Sequence, residues 1–277
     1  KKKNFRIRFN PGLNTLRYNP KIMGILNITP DSFYDGNKFF ENNHSIDNFT
    51  DLLKSDILDV GCESSRPGAA PIAISEQISR LDLALPLISS FKGSSLSIDT
   101  TESDVAKYAI SEGFNMINDI SAATADCSML EVVSDSDSEI VLMHMQGSPE
   151  SMQLNPTYNN IIDDIVSYLE ERVKEAIDIG IDEDKIIIDP GIGFGKTHTD
   201  NIDIIKNIDR FKSIGFRVLI GHSRKSFLQY NQNTPKDRLS ASVGVSAYAT
   251  LHDVDILRVH DVEETKSMIN IIAQLAE

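Results

Sequence analysis

A chain of 277 residues, 40% hydrophobic and 25% charged, has apolar material for one large core, and about 250 residues is the usual size of a single α/β barrel. A formal net charge of −14 argues against a protein that wraps nucleic acid or lies on an anionic membrane. Cys62 and Cys127 lie far apart and point to reduced thiols in a cytosolic protein, and no apolar run approaches the roughly 18 residues of a membrane span.

The chain opens on three lysines without a starting methionine, which suggests a segment excised from a longer chain. NFRIRFN behind them alternates polar and apolar residues and is no signal-peptide core. Residues 5–18 hold two alternating runs around Asn10-Pro11-Gly12, predicting a short N-terminal β-hairpin; residues 1–20 are thereby set apart from a main domain at 21–277. Eight short apolar runs follow, at 21–29, 56–61, 94–100, 115–121, 139–145, 185–191, 217–223 and 255–261, each a predicted strand. Helical periods separate them at 74–89, 103–112, 161–179, 201–211 and 262–275, while the first crossover, at 46–54, is short. Asp261 with Glu264 three residues on reads as a capping box for the last helix. Strand alternating with helix implies right-handed crossovers and a parallel sheet, and eight such units close a (β/α)8 TIM barrel.

The stretch KIIIDPGIGFGK, at 185–196, delivers Asp189 to the tip of a β-branched run that Pro190 then ends. A carboxylate at a mostly dry strand tip needs a partner. The glycines resemble a phosphate loop only superficially: Gly191 and Gly195 enclose three residues where a Walker A loop needs four before Gly-Lys, and GxGxxG fails by one. Their plain reading is a flexible strand-to-helix turn.

Ligand sites of α/β barrels lie at the C-terminal strand ends, where this chain places Asn27, Glu63 to Arg66, Asp99, Asn118 with Asp119, His144, Asp189, Ser223 to Lys225, and Arg258 with His260. Taken singly, such Asp and Asn residues often only bond turn backbone. Together they sort by charge. Asp99, Asn118 and Asp189 suit the donor edge of a flat heterocycle, since a carboxylate accepts two parallel bonds. Arg66, Lys225, Arg258 and His260 suit a phosphate-rich group, and Arg258 and His260, two apart, share one strand face away from Leu257 and Val259. Arg224 and Lys225 are expected to open a helix, where a bound anion would relieve cations set against the macrodipole. The turn-rich segments 29–39, with Phe33 and Asp35, and 63–71, with Arg66, are candidate loops to close over substrate.

MGILNITPDSF, DVGCESSRPGA, SIDT, NDIS, LMHMQG, DPGIGFGK, SRKS and RVHDV stand in an order, and at strand ends, that resemble the dihydropteroate synthases, pterin-binding barrel enzymes, from about residue 21 to the C-terminus. The resemblance implies a transferase of folate biosynthesis that joins 4-aminobenzoate to 6-hydroxymethyl-7,8-dihydropterin diphosphate and releases pyrophosphate. It implies that Asp99, Asn118, Met143, Asp189 and Lys225 bind the pterin, and that Asn27, Ser65, Arg66, Arg258 and His260 bind the diphosphate. Phe33, Ser65, Pro67, Phe194 and Ser226 would form the aminobenzoate pocket, the site of sulfonamide action, and Asn27 would hold Mg²⁺. Asn27, Asp35, Arg66 and Lys225 are the implied catalytic set, with Asp35 assisting closure. Ser65 stands where the family usually has Thr, and Arg238-Leu239-Ser240-Ala241-Ser242 lacks the family's glycine. Two other readings share the pterin residues: a corrinoid-linked methyltransferase, which has no need of the SRKS and RVH cations, and a silent pterin-binding module. A cytoplasmic location, a homodimer and fusion to an upstream pterin pyrophosphokinase domain complete the expectations.

Overall fold

Runs rich in isoleucine and valine, too short for helices and bounded by Gly, Asp or Asn, become the staves of a closed parallel barrel in the computed structural model. It describes residues 19–28, 49–64, 70–149, 151–229, 234 and 236–276. The predicted hairpin at 5–18 and the loop at 29–39 lie outside these residues, as do 65–69 of the second loop.

Strands β1 (Lys21–Asn27), β2 (Ile57–Gly61), β3 (Ser95–Asp99), β4 (Met116–Asp119), β5 (Glu139–Met143), β6 (Ile186–Asp189), β7 (Arg217–Ile220) and β8 (Ile256–Val259) pair in sequence order, and β8 closes on β1. All eight predicted strands are present. Helices α1 (Ile74–Ile88), α2 (Ser103–Ser111), α3 (Met129–Ser134), α4 (Ile161–Ile179), α5 (His198–Lys206), α6 (Ile208–Lys212), α7 (Leu239–Leu251) and α8 (Val262–Ala276) lie between and after them. Of the short first crossover, residues 49–52 are helical. No helix among the described residues is long and apolar enough to cross a membrane.

Side chains alternate across each strand, and that alternation builds the site. Outward residues such as Leu58, Ile98, Ile117, Ile188 and Leu257 join the large core shared with the helices. Inward residues Met23, Ile57, Met116, Val141, Ile187, Leu219 and Ile256 form a separate, fully buried floor. Each such side chain contributes about 1.5–3 kcal/mol on burial, enough for the floor to carry a polar layer above it. Two residues further along the same strands stand Asp59, Asn118, Met143, Asp189, Gly221 and Arg258.

Four local expectations need correction. The helix predicted at 201–211 is two, α5 and α6, broken at Asn207 (φ −112°, ψ 27°), whose amide bonds the Asp203 carbonyl. Asp261 does not cap α8 with its side chain; both carboxylate oxygens bond Arg224 instead. Arg224 and Lys225 open no long helix. Arg224 takes φ 58°, and only a single 3-10 turn, Ser226–Leu228, follows. Finally, α3 and α7 had no periodic signal: α3 is six residues long, and α7, LSASVGVSAYATL, buries Ser242, Ser246, Ala249 and Thr250 while exposing Tyr248 and Leu251.

Candidate active site

Period-two alternation from Ile57 turns Asp59 into the barrel, where it is completely buried. Its carboxylate accepts hydrogen bonds from Arg258 Nε at 2.7 Å, Ser97 Oγ at 2.6 Å and Asn118 Nδ2 at 3.1 Å. Arg258, reaching inward from β8, also donates from Nη2 to Asp99 at 2.6 Å. One guanidinium thus joins carboxylates on β2 and β3, while Asp59 orients the Asn118 amide. Burial pushes Asp99 up to about 7, against the opposing pull of Arg258. For Arg258 burial works downward, yet Asp59 and Asp99 more than offset it and hold the guanidinium charged.

Asp189 closes the same ring from β6. One oxygen accepts the Gly191 N–H at 2.7 Å, and burial raises its pKa, with Gly191 and then Lys225 opposing. Gly221, just past β7, has no side chain to separate Asp189 from Arg258. An added Cβ there would lie 3.8 Å from Asp189 Oδ2 and 3.9 Å from Arg258 Cβ and Cδ. The acidic and basic residues therefore meet in one mouth.

The glycines after Asp189 do more than loosen a turn. Gly191 has φ +70°, and a Cβ on it would fall 1.9 Å from the His144 carbonyl oxygen, so only glycine fits. Gly193 (φ +86°) leaves room for the Lys225 stem, 2.9 Å from where its Cβ would be. Lys225 Nζ then donates to the Ile192 carbonyl and sits 4.2 Å from the centroid of the Phe194 ring, a cation–π contact. Burial pushes Lys225 down to about 7, with Asp189 opposing. Phe194 packs with Ile120, Met143 and Met152 in a small apolar cluster beside the acidic residues.

At the rim, exposed Asn27 ends β1, its Oδ1 3.2 Å from the position a Gly61 Cβ would take; the Asp99 Cβ is 3.7 Å from that same point. His260 is held by Ser223, whose Oγ accepts from the His260 backbone N–H at 3.2 Å and lies 3.1 Å from its Nδ1. Ser226 is exposed at the start of its 3-10 turn, and with Gly193, Lys225 and Gln153 it lines a cavity of about 230 Å³. A larger hollow, about 480 Å³, lies at the opposite, N-terminal end of the strands; its Lys185 and Glu139 are already paired, with Asp137 and Arg217.

The structure thus brings together Asp99, Asn118, Met143, Asp189, Lys225, Phe194 and Arg258, with Asn27, Ser226 and His260 around them. Phe33, Asp35, Ser65, Arg66 and Pro67 lie outside the described residues. Two expectations fail in detail. Arg224 awaits no anion, because Asp261 already pairs with it. Asp119 faces away from the mouth and accepts from Ser121 N, Ser121 Oγ and Ala123 N, the plain turn role. Two residues escaped sequence reasoning: Asp59, whose signal was its two-residue offset from Ile57, and Lys196, whose buried amino group no local pattern betrays.

Residues 23–260 match the family model described as pterin binding enzyme. The chain is 37% identical to a dihydropteroate synthase of Synechocystis sp. over 249 residues, 87% of this chain and 85% of that one. It is 40% identical to a folate synthesis bifunctional protein of Arabidopsis thaliana over 261 residues, 88% of this chain but 54% of that one. Its fold superposes on Xanthomonas albilineans dihydropteroate synthase solved with 4-aminobenzoic acid, with a TM-score of 0.83, 33% identity and 93% of each chain covered.

Proposed function

This chain belongs to the pterin-binding enzyme family, among its dihydropteroate synthases, and from that premise we propose how the residues at the barrel mouth share the reaction. It is a transferase of folate biosynthesis, condensing 4-aminobenzoate with 6-hydroxymethyl-7,8-dihydropterin diphosphate to give 7,8-dihydropteroate and pyrophosphate. Asp189, Asp99 and Asn118 bind the donor edge of the pterin, with Met143 packed beside it and Lys225 at the ring. Arg258 and His260 bind the diphosphate, joined by Ser65 and Arg66 on the strength of the motif match. Phe33, Ser65, Pro67, Phe194 and Ser226 form the aminobenzoate pocket, and Asp35 assists loop closure.

The chemistry explains why both signs of charge are needed. As the diphosphate leaves, positive charge develops on the methylene carbon attached to the pterin and negative charge on the departing oxygens. Carboxylates at the ring favour the first, and Arg258 with His260 favours the second. The aryl amine needs placement more than activation, which Phe194 and a closed loop supply.

Mg²⁺ belongs to the same proposal. Among the described residues there is no group of three His, Cys, Asp or Glu that could hold a metal. Magnesium does not require one, since it keeps several waters and takes one or two protein oxygens together with substrate phosphates. The hard amide oxygen of Asn27, exposed at the end of β1, fits that donor set. When bound, the ion would neutralise charge on the leaving diphosphate.

The observation that carries this assignment is the approach of Asp189 and Arg258 on either side of Gly221. The test is incubation with both substrates and Mg²⁺, following dihydropteroate and pyrophosphate together. Formation of both in equal amounts is expected, and pterin binding without pyrophosphate release would overturn the diphosphate half.

A homodimer is supported by exposed Tyr248 and Leu251 on α7 and Ile271 and Leu275 on the neighbouring α8, apolar groups a second copy would cover. A cytoplasmic location is supported by the free thiols of Cys62 and Cys127. Fusion to a pterin pyrophosphokinase domain is supported by the bifunctional Arabidopsis relative.

A further inference from the structure

The segment Gly193-Phe194-Gly195 gives its aromatic residue no stiffness of its own. Gly193 and Gly195 both take positive φ, and glycine has the widest choice of backbone conformations. Phe194 is nonetheless buried, so its position must come from tertiary contacts. Consecutive carbonyls of this loop each meet a side-chain donor: Ile192 that of Lys225, Gly193 that of Gln153 at 2.6 Å, Phe194 that of Lys196 at 2.9 Å, and Gly195 that of Tyr158 at 2.7 Å.

Lys196 differs from the other three. It is only 3% exposed, and its amino group folds back beneath the loop. Besides the Phe194 carbonyl it meets His144 Nδ1 at 3.0 Å and the His144 carbonyl at 3.2 Å. The two carbonyls can only accept, so Lys196 donates to both, and the direction of its contact with His144 Nδ1 follows the imidazole tautomer. Burial, followed by Lys196, pushes His144 down to about 3, so the ring is neutral. Burial likewise pulls the Lys196 pKa well below its ordinary value, with Asp189 opposing. The His144 backbone N–H donates in turn to the Asp189 carbonyl at 2.9 Å. Lys196 therefore clamps a glycine-flanked aromatic residue onto the end of β5, beside the strand that carries Asp189.

We propose that Lys196 is a positioning residue for the aminobenzoate half of the site, its amino group fixing the Phe194 backbone against His144 so that the ring holds one place. The proposal rests on the reading of Phe194 as a wall of the aminobenzoate pocket. With the clamp removed, Phe194 samples several positions and aminobenzoate loses its wall, while Asp189, anchored by its own strand and by Gly191, still holds the pterin.

The experiment compares Lys196→Met, Lys196→Gln and Phe194→Ala with the parent enzyme. It measures KM for aminobenzoate, kcat, and the affinity for 6-hydroxymethylpterin by fluorescence. Lys196→Met is expected to raise KM for aminobenzoate at least tenfold, to lower kcat by less, and to change pterin affinity by no more than threefold. Lys196→Gln, which keeps an amide donor, should fall between Lys196→Met and the parent, and it decides the matter if the methionine variant does not fold. An aminobenzoate KM within twofold of the parent in a folded variant overturns the proposal. So does an equal loss for both ligands, which would mark a merely structural role. Phe194→Ala separates the two levels: if it leaves KM unchanged, the pocket reading itself fails. If it raises KM while the Lys196 variants do not, only the clamp fails.

Discussion

Asp59→Asn tests whether the buried ionic hub organises the site or is merely tolerated by it. The exchange keeps side-chain volume and removes one charge from a residue with no exposure. Asp59 Oδ2 accepts from both Arg258 Nε and Asn118 Nδ2, and Oδ1 from Ser97 Oγ. An asparagine placing its NH₂ at Oδ2 would set a donor against two donors. Placing it at Oδ1 faces the Ser97 hydroxyl, which can turn and accept, so the second orientation prevails. Arg258 then keeps its hydrogen bond but loses the charge behind it. Hydrogen bonds to charged groups contribute about 1.5–3 kcal/mol and neutral ones about 0.5–1.5, so the expected loss is about 1–2 kcal/mol. In a chain of this size that corresponds to a fall in Tm of about 2–4 °C. Calorimetric unfolding at pH 8 measures it, and isothermal titration with pyrophosphate shows whether Arg258 is still oriented. Because Asp99 continues to hold Nη2, pyrophosphate affinity should stay within about threefold. The desolvation of a buried pair can cancel its Coulomb attraction. A variant as stable as the parent would show that it does so here, and the hub argument would be refuted.

The other substitutions divide the site by ligand. Asp189→Asn exchanges an acceptor pair for one acceptor and one donor. Pterin affinity should fall by about 1.5–3 kcal/mol, roughly 10- to 150-fold, with pyrophosphate affinity unchanged in a direct titration. Equal losses would contradict the division. Arg258→Ala leaves Asp59 and Asp99 buried without their cation, which should destabilise the fold by about 3–5 kcal/mol and weaken pyrophosphate binding at least tenfold. Unchanged pyrophosphate affinity in the folded variant would remove Arg258 from the diphosphate set. Asp99 has a folded pKa of about 7, above its ordinary 3.8. Its contribution to stability is therefore full below about pH 4 and lost as the pH rises through about 7. Pterin binding has the opposite dependence, since ring donors need the ionised carboxylate: affinity should rise with pH up to about 7. Asp99→Asn should flatten that rise, and a profile identical to the parent's would exclude Asp99 as its source.

What the sequence made legible follows from the range of the forces involved. Strand positions were readable because a barrel strand buried on both faces must be a short apolar run, as in Ile186-Ile187-Ile188, and nothing local competes with that pattern. The polar residues Asp99, Asn118 and Asp189 of the barrel mouth were readable because they end such runs. Asp59 hid inside one: a carboxylate two residues before the end of Ile57–Gly61 finds its charge partner in Arg258, 199 positions away. Helix α7 was invisible for a related reason. It buries Ser242, Ser246, Ala249 and Thr250 while leaving Tyr248 and Leu251 exposed, so burial does not follow hydrophobicity and no amphipathic stripe forms for periodicity to detect. Asp261 shows the converse error. The capping pattern around it is genuine local chemistry, but Arg224 offers its carboxylate a charged partner at 3.0 Å, and a charged hydrogen bond outweighs a neutral cap.

The proposed separation into acidic residues for a ring and basic residues for its departing tail concerns ligands, not the protein by itself. Arg258 lies between Asp59 and Asp99, and Lys225 rests on the Ile192 carbonyl and the Phe194 ring. The buried guanidinium of Arg258 thus has its counter-charges within the protein, as a mostly buried site requires. A pterin diphosphate carries both complements in one molecule. Its ring donors can take over Asp99 while its phosphates take over the Nη2 that Asp99 releases, so that neither charge is left bare. A pterin without phosphates, or pyrophosphate without the ring, can make only half of that exchange. On the proposed assignment, the shared guanidinium of Arg258 makes the two halves of the substrate bind better joined than apart.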